Sequence, residues 1–237
     1  MRRAIPVRRA PCRTETGTPA LKLPIHPEGW PFIGMAVGLN LFLALLAGWW
    51  GLALLPVTLW VVAFFRDPER TPPDGPGLVI CPADGRILPI AEALPPPELG
   101  LSGGPRPRIA IFMNVFDVHV NRIPCHGTVM ALAYRPGKFF NASLDKASAG
   151  NERQSIGLAV ATPAGEATLA VVQIAGLVAR RIVCSLSPDQ AVRAGERFGM
   201  IRFGSRVEVY LPPGAQPRVK AGDKVKAGET VLAAFGA

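Results

Sequence analysis

Gly204-Ser205 lies in the stretch "RFGSRVEVYLPPG", Arg202 to Gly214, and residues 205–237 are the last 33 of the chain. The pair is open to two readings. As punctuation, it is a turn ahead of an edge strand that alternates through Val207, Val209 and Leu211. As chemistry, the Ser205 hydroxyl can attack the carbonyl of the preceding peptide. Glycine on the acyl side leaves that carbonyl unshielded and lets the backbone bend. The product is an ester. Elimination frees a carboxylate on Gly204 and leaves dehydroalanine at position 205, and hydrolysis turns this into a pyruvoyl group with loss of ammonia. Such a carbonyl is a cofactor made from the chain itself. Ser205 is not in G-x-S-x-G, so a nucleophile elbow is not indicated.

A serine used in this way needs a base. The histidines are His26, His119 and His126. His119 sits in "FDVHVNRIPCHG", between a strand and a turn. His126 directly precedes Gly127 and reads as a loop residue, and His26 belongs to the approach to an apolar run. The spacing of His119 and His126 fits neither an i,i+4 helical ligand pair nor a finger. Asp84 ends a strand in "CPADG". Asp117, two residues before His119, shares its side of an extended chain. Either carboxylate could orient the imidazole. The four cysteines (Cys12, Cys81, Cys125, Cys184) form no CxxC and no zinc-type spacing with histidine. A reducing compartment and no structural metal are expected.

These residues need elements to position them. Trp30 to Phe65 is an uncharged run of 36 residues. That is too long for one ordinary span of about 20 residues and slightly short for two full ones. Asn40, "GWWG" at Gly48–Gly51 and Pro56 break it, which predicts helices near 31–47 and 52–65 folded as a tight or re-entrant hairpin. Trp49 and Trp50 are expected at an interface. The run is too long and begins too late for a cleaved signal peptide. Residues 1–24 read as a disordered basic tail and 25–70 as the membrane-associated hairpin. After the Pro-rich exit, 71–237 reads as short strands separated by turns: "LVICPADG", "RILPIAEAL", "PRIAIFMNVF", "TVMALAYRPG", and a hairpin turning at Pro163–Glu166. The fold class expected is mainly β (α+β), a sandwich or barrel-sandwich, with short helices near Phe139–Ala147 and Asp189–Ala194. Near the C-terminus Val219–Gly222 is echoed by Val225–Gly228, as in half of a biotinyl/lipoyl-type barrel-sandwich. The carrier dipeptide around a modified lysine is missing.

The net charge is +9. It favours anionic partners, membrane lipids among them. Two tyrosines and no stripe of interleaved basic and aromatic residues argue against nucleic acid. The basic flank before the apolar run (Arg2, Arg3, Arg8, Arg9, Arg13, Lys22) points to the cytoplasm. A hairpin returns residues 66–237 to that same side; a single crossing would place them outside.

"IHPEGWPFI", "FFRDPER", "CPADG", "FMNVFDVHVNRIPCHG", "NERQ", "QIAGLVARRIVC" and "ERFGMIRFGSRVEVYLP", in this order from about Ile25 onward, resemble the short, membrane-associated phosphatidylserine decarboxylases. The resemblance implies a self-cleaving, pyruvoyl-dependent carboxy-lyase on the cytoplasmic face of the inner membrane. It puts the cut between Gly204 and Ser205, a β chain at 1–204, and an α chain at 205–237 headed by the pyruvoyl from Ser205. Asp84 and His119 match the family's serine-activating residues. The substrate amine would form a Schiff base with the pyruvoyl, CO2 would leave, and His119 would return a proton before phosphatidylethanolamine is released. Longer bacterial forms place two histidines in the segment matching His119–Arg122. Here Arg122 takes the second position, so His119 is the candidate for both cleavage and protonation. Arg122, Arg180 and Arg181 are candidates for phosphate or carboxylate contacts, though each alone reads as a solvated charge. Beyond the α/β heterodimer, homo-oligomerisation stays open. Two other readings compete: a membrane-tethered barrel-sandwich adaptor, which would stay intact, and a pyruvoyl enzyme for a soluble amino acid, which the apolar hairpin disfavours.

Overall fold

The computed structural model describes residues 24–101, 103–137, 150–163, 165–176, 181–202 and 204–235. The N-terminal tail, the helix expected near Phe139–Ala147, and Arg180 lie outside the described residues.

The apolar run folds back on itself. Helix α1 (Trp30–Ala47) is followed by a 3-10 stretch, Gly48–Leu54, and by α2 (Leu55–Phe64). Gly48 takes a left-handed φ of 59° and reverses the chain. Gly51 then lies so close to the backbone of Leu43 and Ala44 that a Cβ would collide with it. Midway along, the buried Asn40 side chain donates to Thr58 and to Ala36 O, which offsets part of the polar cost of placing both side chains in an apolar hairpin. At the base, His26 N donates to Phe65 O (2.8 Å), Asp67 N donates to Pro24 O, and Ile25 bridges Arg66. Both ends of the hairpin therefore emerge on one side. By length and composition Pro27–Phe64 is apolar enough to cross a membrane, with little of it buried. The 18 residues of α1 reach about 27 Å, nearly the thickness of a bilayer's hydrocarbon core. Trp49 and Trp50 stack on each other at the tip.

The rest of the described chain is β structure: β1 (Leu78–Ile80), β2 (Gly85–Ile87), β3 (Ala91–Ala93), β4 (Arg106–Met113), β5 (Val120–Arg122), β6 (Gly127–Arg135), β7 (Arg153–Thr162), β8 (Gly165–Ala175), β9 (Ile182–Cys184), β10 (Ala191–Val192), β11 (Arg197–Ile201), β12 (Ser205–Tyr210), β13 (Ala215–Pro217), β14 (Lys224–Val225) and β15 (Val231–Phe235). The main sheet runs β10-β6-β7-β8-β12-β4-β2-β14, with β3 also on β4. Two small sheets, β1-β15-β13 and β5-β11-β9, complete the fold. The largest core joins Ile109, Ile111, Val207, Val209, Val171 and Leu158 of the main sheet to Val79, Leu232, Phe198 and Ile201 of the small ones. This is the mainly β, sandwich-like domain with a helical hairpin that the sequence pattern implies.

Two local expectations are corrected. Asp189–Ala194 is not helical: Asp189 takes a φ of 63°, and Ala191 and Val192 pair with Thr128 and Gly127. The strand after Gly204 is not an edge strand. β12 is hydrogen-bonded between β4 and β8 and is buried on both faces. Its polar positions survive there because Arg206 pairs with Glu208 at 2.7 Å, Tyr210 donates to Glu208 at 2.8 Å, and Leu99, Val172 and Ile174 share a second apolar cluster with Tyr210.

Candidate active site

The site is built where β12 begins. Ser205 pairs with Met113 on one side and Ala175 on the other, which fixes its backbone in the middle of the sheet. Its hydroxyl is fully buried and meets the Met113 sulfur at 3.2 Å. A thioether is a weak acceptor, so this contact holds the hydroxyl lightly. Gly204 has a φ of 71°, a conformation that only glycine adopts freely. A Cβ there would meet Val115 at an ordinary 3.9 Å, so conformation rather than space demands the glycine. The Met113 sulfur is also approached by Asn121 Nδ2 (3.9 Å), and Gln173 donates to Asn121 at 2.8 Å. This buried polar chain ties β5 and β8 to the serine.

His119 stands just ahead of β5, and its carbonyl accepts from Ile201 N (3.4 Å), four residues before Ser205. Its ring is completely buried. Nδ1 lies 3.0 Å from the Asp117 carbonyl. A carbonyl only accepts, so Nδ1 carries the hydrogen and Nε2 presents its lone pair. Nε2 has no hydrogen-bond partner among the described residues. Burial pushes the imidazole pKa down to about 4; the bond to the Asp117 carbonyl opposes this and Arg66 adds to it. The ring packs against Phe64, the last residue of α2, at 4.2 Å between centroids. Phe64 in turn meets Phe65 edge-on and shares a core with Val118, Val120 and Met200. The base of the hairpin is thus one wall of the histidine's pocket.

Asp84 has a different set of partners. Oδ1 accepts from Ala227 N at 2.7 Å and Oδ2 pairs with Arg70 at 3.1 Å. Burial raises its pKa, with the Ala227 bond and Arg70 opposing. The imidazole is oriented by the main chain of Asp117 and not by either carboxylate; the Asp117 carboxylate accepts from Asn114 N (2.8 Å) instead. Arg122 is occupied internally, donating to Gly195 O (2.9 Å) and Pro68 O (2.8 Å). That removes it as a headgroup contact. Arg181 is exposed. His126 is exposed, and His26 caps the turn ahead of α1, accepting from Glu28 N (3.3 Å). Burial holds the Cys81 and Cys125 thiols up at about 12, so neither is a nucleophile at neutral pH. Among the described residues no cluster of three or more metal-ligating side chains forms.

The motif "FFRDPER" couples the hairpin to this site almost residue by residue. Phe64 and Phe65 pack as described. Arg66 donates to Phe116 O at 2.7 Å, Asp67 and Glu69 pair with Arg197, and Arg70 bridges Asp84 and Glu229. Met113, Asn121 and Phe64 are site residues that sequence reasoning missed. Each lies within a quoted motif, which is the signal that could have found them. An apolar groove of about 420 Å³, lined by Pro56, Val57, Trp60, Val115 and Phe116, runs between α2 and the loop beside Gly204.

A family model described as phosphatidylserine decarboxylase matches residues 57–233. The phosphatidylserine decarboxylase proenzyme of Paramagnetospirillum magneticum is 53% identical over 216 residues, covering 91% of this chain and 89% of its own. That of Granulibacter bethesdensis is 55% identical over 213 residues, covering 89% and 85%. That of Ruegeria pomeroyi is 53% identical over 213 residues, covering 89% and 94%.

Proposed function

The chain belongs to the phosphatidylserine decarboxylase family, and on that basis we propose that it is a proenzyme that cuts itself between Gly204 and Ser205 and then decarboxylates phosphatidylserine to phosphatidylethanolamine. The observation that supports the cut most directly is a buried serine at the head of a central strand, preceded by a glycine held in a left-handed conformation.

The Ser205 oxygen attacks the Gly204 carbonyl carbon while a base takes the hydroxyl proton. The carbon–nitrogen bond breaks, and an ester joins Gly204 to Ser205. Removal of the Ser205 α-proton expels the Gly204 carboxylate and leaves dehydroalanine, which water converts to pyruvoyl and ammonia. His119 is the group suited to these proton transfers. Its Nε2 is bare, the ring is neutral at neutral pH, and burial keeps water from competing for it. The weak Met113 contact leaves the serine hydroxyl free to turn toward a base. Asp84 then acts at one remove: with Arg70 it holds Ala227 and Glu229 of the α chain to the β chain, and its charge lies close enough to be influenced by Asp117 and Arg66.

The pyruvoyl carbonyl at position 205 supplies the electron sink for loss of CO2. Arg206, the next residue, pairs with Phe112 and Ile174 in the sheet and would hold the group's amide side in place. His119 Nε2, bare at rest, takes up a proton from the substrate ammonium and returns it to the substrate's α-carbon. The apolar hairpin supports a site at a membrane, on the side to which both of its ends return, and the charge bias of the N-terminal flank supports the cytoplasmic side.

Intact mass tests the reading. The purified protein should yield a C-terminal fragment of roughly 3.5 kDa, the share that 33 of 237 residues take of 25.2 kDa, with a blocked N-terminus. Ser205→Ala should remain one chain and be inactive. A native chain that stays whole after long incubation, yet decarboxylates the lipid, would sink the proposal.

A further inference from the structure

We propose that the cavity lined by Arg86 and Lys224 is a second lipid site, which binds the phosphodiester of an anionic, hydroxyl-bearing membrane phospholipid and clamps the catalytic domain to the bilayer. The proposal goes beyond the reaction and concerns a lipid that is not turned over. The cavity holds about 320 Å³ and is lined by these two cations with Asn114, Phe116 and Asp117. In the β2–β14 register Lys224 stands directly opposite Arg86. Two like charges in that position repel. Arg86 donates to Gly222 O (3.2 Å), and among the described residues no carboxylate pairs with either cation; nearby in sequence, Asp84 pairs with Arg70, Asp223 accepts from Lys220 N, and Glu229 pairs with Arg70 and Lys226. A phosphate between the two would turn this repulsion into attraction. Asp117 and Asn114 add acceptors suited to headgroup hydroxyls beside the phosphate.

The source of the phosphate is indicated by the opposite wall. Phe116 is 69% exposed and lines both this cavity and the apolar groove along Pro56, Val57 and Trp60 of the hairpin. Arg66 holds the Phe116 loop at the hairpin's base. Charge and apolar surface therefore meet at one aromatic side chain, as a headgroup and an acyl chain require. Strand alternation puts the Arg86 cation on the face of the main sheet away from the serine. Arg86, Phe112 and Arg206 are in register on one face of the main sheet, while Ser205 and Met113 point to the other.

The test uses the full Ser205→Ala chain in detergent, which neither cleaves nor turns over, so its result is independent of the reaction proposed above. Binding is measured for dihexanoyl phosphatidylglycerol, dihexanoyl phosphatidylcholine, glycerol 3-phosphate and inorganic phosphate. Phosphatidylglycerol should bind at least about ten-fold more tightly than the other three, and more weakly as salt is raised. Arg86→Gln with Lys224→Gln should lose at least about ten-fold, and Arg86→Lys with Lys224→Arg should regain most of it. Unchanged thermal midpoints show that both variants fold; should the glutamine variant melt early, the charge-retaining variant decides, since it must bind as the native chain does. Equal binding by the glutamine variant overturns the site. Inorganic phosphate or phosphatidylcholine binding as tightly as phosphatidylglycerol overturns an anionic lipid as its occupant.

Discussion

At the residue scale the proposed chemistry rests on how little holds Ser205 and His119. The hydroxyl touches a thioether, and Nε2 is bare. The imidazole's pKa is lowered from 6.5 to about 4, so the basic form persists across the physiological range. Self-cleavage followed by mass should therefore be flat from about pH 8 to pH 5.5 and fall only near pH 4, well below the limb of an ordinary histidine. The same shift bears on stability. The unfolded state takes up its proton near 6.5 and the folded state near 4, so this contribution is full above pH 6.5 and is lost as pH falls through that window. His119→Gln should slow cleavage about 10²–10⁴-fold, the usual worth of a placed base. Phe64→Ala opens the ring to water and should move the acid limb up toward 6.5, a shift that a purely structural role would not produce. Gly204→Ala should slow cleavage without abolishing it, because a left-handed alanine costs about 1–2 kcal/mol while the space tolerates a methyl. Ser205, Gly204 and His119 could be named as candidates from the sequence because their residue types limit what they can do. Met113 was not, since a methionine in an apolar strand looks like any core residue and its contact with Ser205 spans 92 positions.

At the element scale the hairpin was readable, because Gly48, Gly51, Asn40 and Pro56 interrupt an otherwise uncharged run. The position of β12 was not. Val207 and Val209 alternate with Arg206 and Glu208, the pattern of a strand with one wet face. What hides the polar face is an ion pair between neighbours on the same strand and an apolar cover that includes Leu99. Sequence periodicity cannot report a cover supplied by a distant loop. Glu208→Ala should cost about 3–5 kcal/mol in denaturant unfolding, since it strips the 2.7 Å ion-pair partner from a buried cation. In the hairpin, Gly51 has no room for a side chain against Leu43 and Ala44. A disulfide between Asn40→Cys and Thr58→Cys should form readily in the native background, and adding Gly51→Leu should prevent it.

At the scale of the whole molecule, the uncharged run and the turn-separated strands after it pointed to a hairpin followed by a β domain, while the sheet order that places the last 33 residues came only from long-range pairing. Those residues supply the central β12, the β14 partner of β2 and the β15 partner of β1. After the proposed cut the two chains should co-elute under native conditions and separate only in denaturant; free α chain in a native column would argue against this weave. The weave also sets a biosynthetic clock. Synthesis runs from the N-terminus at about 5–20 residues per second, so the hairpin leaves the ribosome long before Ser205 does. Until β12 arrives, β4 and β8 have no strand between them, and the pocket around Ser205 does not exist. Under the proposed self-cleavage, the hairpin is therefore free to meet a membrane before the cut can occur, and the cut waits for β12.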